Sequence, residues 1–221
     1  MAVGKKQILR LSVDTAMLIL LFVVMSYDVT GNTLHEWIGI ALMCLFIIHI
    51  ALNFAWARQV VKGRYGFRRI LGTTINILLL TSLIMTLAAS LPISSEVFPW
   101  FRLFATEAFP VQIHIAAGNW MFILVAMHFG TQWHRVRIYL PCTSKSVSTA
   151  IGMVVLAVAC YGVWALWQRN LLPKLVMYYS FDFWRGNVSV MRFVADYISI
   201  FAFFAVIAYH IVGIKNRRQR Q

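Results

Sequence analysis

Apolar residues in this chain do not alternate with polar ones. They run in long blocks broken by short basic or aromatic stretches. Six blocks stand out, at about 10–27, 34–57, 69–91, 111–134, 147–168 and 191–214. About 20 mainly apolar residues at about 1.5 Å each cover the roughly 30 Å of a bilayer's hydrocarbon core. Backbone groups in lipid must satisfy one another, so each block predicts a helix. No ten-residue alternation suggests a barrel. The pattern predicts an all-α, polytopic membrane bundle of about six transmembrane helices, with residues 1–221 forming one domain. The opening "MAVGKKQILR" followed by "LSVDTAMLILLFVVM" has the basic-then-apolar order of a signal peptide. No A-x-A-like site follows, so the first block is expected to remain as a span.

Composition agrees: 61% of residues are hydrophobic and 12% charged, where soluble domains carry about half and about a quarter. Mean hydropathy is +0.75. The net charge of +13 raises the question of nucleic acid, but the placement of Lys and Arg answers it differently. Six spans put 15 of the 20 on one side: Lys5, Lys6, Arg10, Arg58, Lys62, Arg64, Arg68, Arg69, Arg135, Arg137, Lys145, Lys215, Arg217, Arg218 and Arg220. The other side keeps Arg102, Arg169, Lys174, Arg185 and Arg192, beside Asp28, Glu36, Glu96, Glu107 and Asp182. Such asymmetry places both termini in the cytoplasm and accounts for the basic pI without a nucleic-acid partner. The basic loops also suit anionic headgroups of the lipid bilayer. Cys44, Cys142 and Cys160 form neither C-x-x-C nor C-x-x-C-H, which removes support for disulfides, structural zinc and covalent haem.

Four of the six histidines follow one rule. "HEWIGIALMCLFIIH" and "HIAAGNWMFILVAMH" both read H-x3-G-x9-H, giving His35, Gly39, His49 and His114, Gly118, His128. Fourteen residues at about 100° fall about 40° short of four turns, so each pair shares a helix face, roughly 21 Å apart along the axis. The second and fourth spans run in the same direction. His35 and His114 therefore lie at an outer level, His49 and His128 at an inner one. Each level offers one imidazole from each helix, the axial ligand set of a b-type haem. Gly39 and Gly118, one turn from the outer histidines, would let a flat macrocycle approach the helix. Two haem b, stacked across the membrane, are the expected cofactors. A single histidine in a helix is usually a packing residue, and transmembrane glycines often serve helix contacts; the doubling of the pattern argues against both. A zinc or copper ion would need its ligands at one level.

The residues carrying this pattern resemble the flavinylation-associated cytochromes, small bacterial membrane proteins long filed as a domain of unknown function. The resemblance covers "TLHEWIGIAL", "KGRYGFRRILGTTINILLL", "IHIAAGNWMFILVAMHFGTQW" and "FVADYISIFAFFAVIAYHIVGI". It implies a di-haem cytochrome in the bacterial inner membrane, linked to flavin-carrying extracytoplasmic electron-transfer proteins. The H-x13-H pairs are also similar to cytochrome b of respiratory bc complexes. The family often has H-x3-H-W at the inner end of the fourth span, where this chain has Gln132.

Transmembrane electron transfer between a membrane quinone pool and an extracytoplasmic redox partner is thus the expected function. Two axial imidazoles fill both open iron positions, which disfavours oxygen chemistry there. The alternatives are a terminal haem reductase or oxidase acting on ferric iron, superoxide or another small acceptor, and a non-redox transporter or scaffold. No P-loop, G-x-G-x-x-G, H-E-x-x-H or G-x-S-x-G appears. Among secondary candidates, His134 and His210 could share a third haem or handle protons near a quinone, though a basic interfacial residue is ordinary there. Asp14 and Asp196, as intramembrane carboxylates, are functional candidates, but near span ends pairing with Arg10 and Arg192 is the expected explanation. Arg68, Arg69 and Arg102 are candidates for haem propionates, Asn53 and Gln132 for hydrogen bonds near the inner haem, and Trp120 for a ring flanking a haem or packing in the core. The aromatic stretches 92–110 and 169–190 could cover a site or simply anchor at the interface.

Overall fold

A computed structural model describes residues 4–104, 108–137, 144–178 and 189–218, without the side chains of 102–104 and 214–218. The described residues are helical throughout their regular structure. Six helices are long and apolar enough to cross a membrane: α1 (Lys5–Met25), α2 (Tyr27–Leu52), α4 (Phe67–Ser90), α5 (Ala108–Val136), α6 (Lys145–Gln168) and α8 (Val190–Arg218). Between them lie two short helices, α3 (Ala55–Val60) and α7 (Leu171–Leu175), and a 3₁₀ turn at Pro99–Phe104. This is the six-span, all-α architecture that the apolar blocks predict.

Two boundaries differ from the sequence reading, for identifiable reasons. The second span was expected over 34–57, but α2 begins at Tyr27 and stops at Leu52. Its first turn bends at Gly31, whose φ of 70° and ψ of 177° suit glycine far better than any residue with a Cβ. At the other end, Asn53 leaves helical geometry, and its backbone N–H and side-chain Nδ2 both donate to the His49 carbonyl. A guanidinium N–H of Arg10 donates to the Leu52 carbonyl, satisfying one of the orphan acceptors that end any helix.

Contacts divide the chain into two compact units. The first comprises residues 1–64 and 91–105, the second 65–90 and 106–221. In the first, α1 and α2 form an antiparallel hairpin. No residue of α2 is buried, so its apolar surface is left to lipid or other cover. In the second, α5 packs on α4 and on α8, and α8 packs also on α6. The core of this unit gathers Phe122, Ala126, Ala165, Leu171, Ile200 and Ala208, all at or near zero exposure. Close approach between these helices depends on glycine. A Cβ at Gly130 would overlap the Ala205 carbonyl, and one at Gly162 the Ser199 carbonyl.

Candidate functional site

The histidine pairs sit on two matching helix stripes, one in each unit. On α2 the positions spaced four, three, four, three and four apart are His35, Gly39, Leu42, Phe46, His49 and Asn53, all half-buried. On α5 the same spacing gives His114, Gly118, Met121, Val125, His128 and Gln132, half-buried except the buried Met121. These intervals track one face of a helix. Each helix thus presents two imidazoles, a glycine and a terminal amide in the same order.

Each histidine is held by Nδ1, and by the helix that precedes it in the chain. In the first unit, His35 Nδ1 lies 3.0 Å from the Val24 carbonyl, and His49 Nδ1 lies 2.6 Å from Asp14 Oδ1. In the second, His114 Nδ1 lies 3.1 Å from the Thr86 carbonyl, and His128 Nδ1 lies 2.8 Å from Asn76 Oδ1. The partners repeat as the histidines do, since Asp14 precedes Val24 by ten residues and Asn76 precedes Thr86 by ten. Hairpins α1–α2 and α4–α5 are therefore built alike. Val24 lies in the last turn of α1, where carbonyls lack intrahelical partners, and Thr86 lies just before the last turn of α4, where a carbonyl's second lone pair can accept.

This arrangement selects a tautomer. Carbonyl, carboxylate and amide oxygens only accept, so each imidazole carries a proton on Nδ1, and in its neutral form the lone pair is on Nε2. An imidazole oriented in this way is the usual form of a histidine that ligates metal through Nε2. Asp14 was expected to pair with Arg10. The structure corrects this: Asp14 meets His49, whereas Arg10 caps α2. Asn76 carried no signal in the sequence beyond being a polar residue in "TTINILLL".

Gly39 and Gly118 are not packing glycines. A Cβ added at either meets no neighbouring atom within 4 Å, in contrast to Gly130 and Gly162. Gly72, Gly152 and Gly213 are equally open, so openness alone is not distinctive. What sets Gly39 and Gly118 apart is their place on the histidine stripes.

Beside His35, Glu36 gathers a loop around its carboxylate. Its two oxygens accept from Ser94 Oγ (2.6 Å), the backbone N–H groups of Ser95 (2.9 Å), Glu96 (3.1 Å) and Val97 (2.9 Å), and Asn32 Nδ2 (2.8 Å). Asn32 Nδ2 also reaches Ser95 Oγ at 2.7 Å. This clamp ties the start of the 92–110 segment to the His35 end of α2. The sequence reading saw Glu36 only as one acid among several on that side.

The remaining candidates fall elsewhere. Asp196 was expected to pair with Arg192. Instead it is buried and accepts from Arg169 Nε at 2.8 Å, with Arg169 NH2 also at 2.8 Å and Tyr161 Oη at 2.7 Å on its other oxygen. Arg192 lies over the Trp164 ring. Arg68 contacts both ring nitrogens of His134, and Arg69 lies over Tyr65. His210 is exposed and packs edge-on against Tyr209. Trp120 donates through Nε1 to the Leu175 carbonyl, anchoring the end of α7. Asn53 caps its own helix, and Gln132 Oε1 is buried without a hydrogen-bond partner. The side chain of Arg102, and residues 179–188 of the second aromatic stretch, lie outside the described residues.

Among the described residues, no three His, Cys, Asp or Glu side chains converge as the ligands of a protein-bound metal ion would. The chain matches no protein-family model, no curated protein and no solved structure.

Proposed function

We propose that this chain carries electrons across a membrane through two b-type haems, the outer held by His35 and His114 and the inner by His49 and His128. The observation that carries the reading is the repeated Nδ1 hydrogen bond. All four histidines of the doubled motif are oriented by a neighbouring acceptor, which leaves the lone pair on Nε2. A porphyrin brings four nitrogens of its own, so each iron asks for only one imidazole from each of two helices. Three-residue clusters are not needed.

The residues present fit such a group in two further respects. The stripes lack bulk at Gly39 and Gly118, where a flat ring would lie against the helix. The apolar character of both stripes between the histidines, through Leu42, Phe46, Met121 and Val125, suits a hydrocarbon-embedded macrocycle. Bound haem supplies a one-electron ferric–ferrous couple. The chain's own part is to fix the imidazoles, exclude water from between the levels and set the charge around each histidine.

Pairing across α2 and α5 rests on the topology expected from the sequence, in which the second and fourth spans would run in the same direction with their histidines at matched depths. With both termini in the cytoplasm of a bacterial inner membrane, the outer level would face an extracytoplasmic redox partner, flavin-carrying or otherwise. A membrane quinone would be the other reactant.

An optical spectrum of the detergent-purified protein, oxidised and dithionite-reduced, with haem quantified against protein, tests this directly. Two low-spin b haems per chain are expected. His49→Ala should keep one of the two. A colourless protein after haem-replete expression, or a His49→Ala variant that keeps both haems, refutes the proposal.

A further inference from the structure

The two hairpins match in the spacing of their histidines and of the acceptors that hold them, but differ by one charge. Where the first hairpin holds its second histidine with Asp14, the second uses Asn76, a side chain of nearly the same shape without the charge. The first histidines, His35 and His114, are both held by neutral backbone carbonyls. Asp14 is therefore the one anionic group among the four acceptors.

We infer that Asp14, acting through His49, holds the inner haem at a lower midpoint potential than the outer one; this rests on the di-haem reading above. The His49–Asp14 contact is the shortest of the four at 2.6 Å, against 2.8 Å to Asn76 and 3.0 and 3.1 Å to the carbonyls. A hydrogen bond from Nδ1–H to a carboxylate is charge-assisted and shifts electron density toward Nε2. Such a partner raises the basicity of a metal-bound imidazole. A more basic ligand and a nearby negative charge both favour the ferric over the ferrous state, which lowers the potential.

Arg10, one helical turn before Asp14 on the same helix, donates to the Leu52 carbonyl. The Nδ1–H of His49 is the donor that the structure gives Asp14. Asp14 is about half exposed and lies about one helical turn inside the first apolar block, near the cytoplasmic edge expected for that span, where charge is screened less than in open water. Asp14 is a positioning residue here: it touches the ligand, not the iron.

The test uses the full-length purified protein, titrated potentiometrically through its reduced haem absorbance. Asp14→Asn keeps the shape and removes the charge. It should retain two haems and raise one midpoint, increasing the ferrous-to-ferric ratio at fixed potential about tenfold, which is 59 mV for one electron. The midpoint that moves should be the lower of the two in the native protein, and the one missing from His49→Ala. The reciprocal change, Asn76→Asp, should lower that same midpoint and leave the other alone. The inference is overturned if Asp14→Asn retains both haems with neither midpoint moved, or if the lower midpoint survives in His49→Ala. Should Asp14→Asn lose a haem outright, Asn76→Asp decides, and an unmoved midpoint there overturns it. A native protein without haem would refute the di-haem reading and this inference with it. Two haems with unshifted midpoints would refute the inference alone.

Discussion

Gly118 allows a test in which the fold and the proposed cofactor answer separately. A Cβ at this position meets no neighbouring atom within 4 Å, so Gly118→Ala adds a methyl group to open space. Glycine within a helix is about 1 kcal/mol less favourable than alanine, and leucine is nearly as good as alanine. The folded chain should therefore tolerate Gly118→Ala, and by helix propensity gain up to about 1 kcal/mol. Gly130, twelve residues further along α5, is the control. There a Cβ would overlap the Ala205 backbone carbonyl, so Gly130→Ala must push α5 and α8 apart. Overpacking of this kind costs about 1–3 kcal/mol.

If a macrocycle lies against Gly118, the same overpacking cost falls on haem binding instead. A side chain the size of leucine would weaken binding by about 1–3 kcal/mol, or roughly fivefold to a hundredfold. Folding is followed by thermal unfolding in detergent with tryptophan fluorescence, and haem by its ratio to protein. Gly118→Ala should melt no lower than the native protein in haem-free preparations, and Gly118→Leu, compared with it, should lose haem. Gly130→Ala should melt lower. A Gly118→Leu protein that keeps both haems at native affinity would refute the view that this glycine makes room for the ring. The same series at Gly39 should behave alike, because its Cβ position is equally open.

Two other predictions concern parts of the fold outside the histidine stripes. Asp196→Ala should destabilise the second unit by about 3–5 kcal/mol, since it leaves the Arg169 guanidinium, 15% exposed, without its counter-charge; Asp196→Asn should cost less because Tyr161 keeps an acceptor. A melting temperature unchanged in Asp196→Ala would show that Arg169 finds another partner. Glu36→Ala should free the segment at Ser94–Val97, read as faster limited proteolysis there with the helical circular dichroism unchanged. Native cleavage rates would mean that the segment is held by something other than the carboxylate.

The six spans were legible because hydrocarbon thickness imposes a minimum length of apolar chain, and neither a soluble core nor a loop makes that demand. Helix ends were less so. The bend at Gly31 is a property of one residue's φ, and the stop at Leu52 comes from Asn53 and Arg10 reaching back to backbone carbonyls. Side-chain partners were the least legible. Asp14 has Arg10 one helical turn away, so local pairing was the natural expectation, but the register of α1 on α2 brings His49, 35 residues distant, to its carboxylate. Asp196 follows the same logic, passing over Arg192 for Arg169, 27 residues before it. An antiparallel hairpin has a register, and the register is set by packing along its whole length, which no short stretch of sequence contains.

That register also decides which parts of the site a mutation can reach. A backbone carbonyl is the same acceptor whatever side chain the residue carries, so substitutions at Val24 or Thr86 leave the partners of His35 and His114 in place while the helices hold. The partners of His49 and His128 are side chains, and one substitution changes their charge while sparing their shape. In each hairpin the first histidine of the motif is thus held by the backbone and the second by a side chain open to substitution. On the proposed reading, the charge of Asp14 is the difference among these four acceptors that a single substitution can remove. Because His49 and His128 would hold the same haem, Asp14→Asn combined with Asn76→Asp only moves the carboxylate from one ligand's partner to the other's, and should leave the two midpoints nearer their native spacing than either change alone.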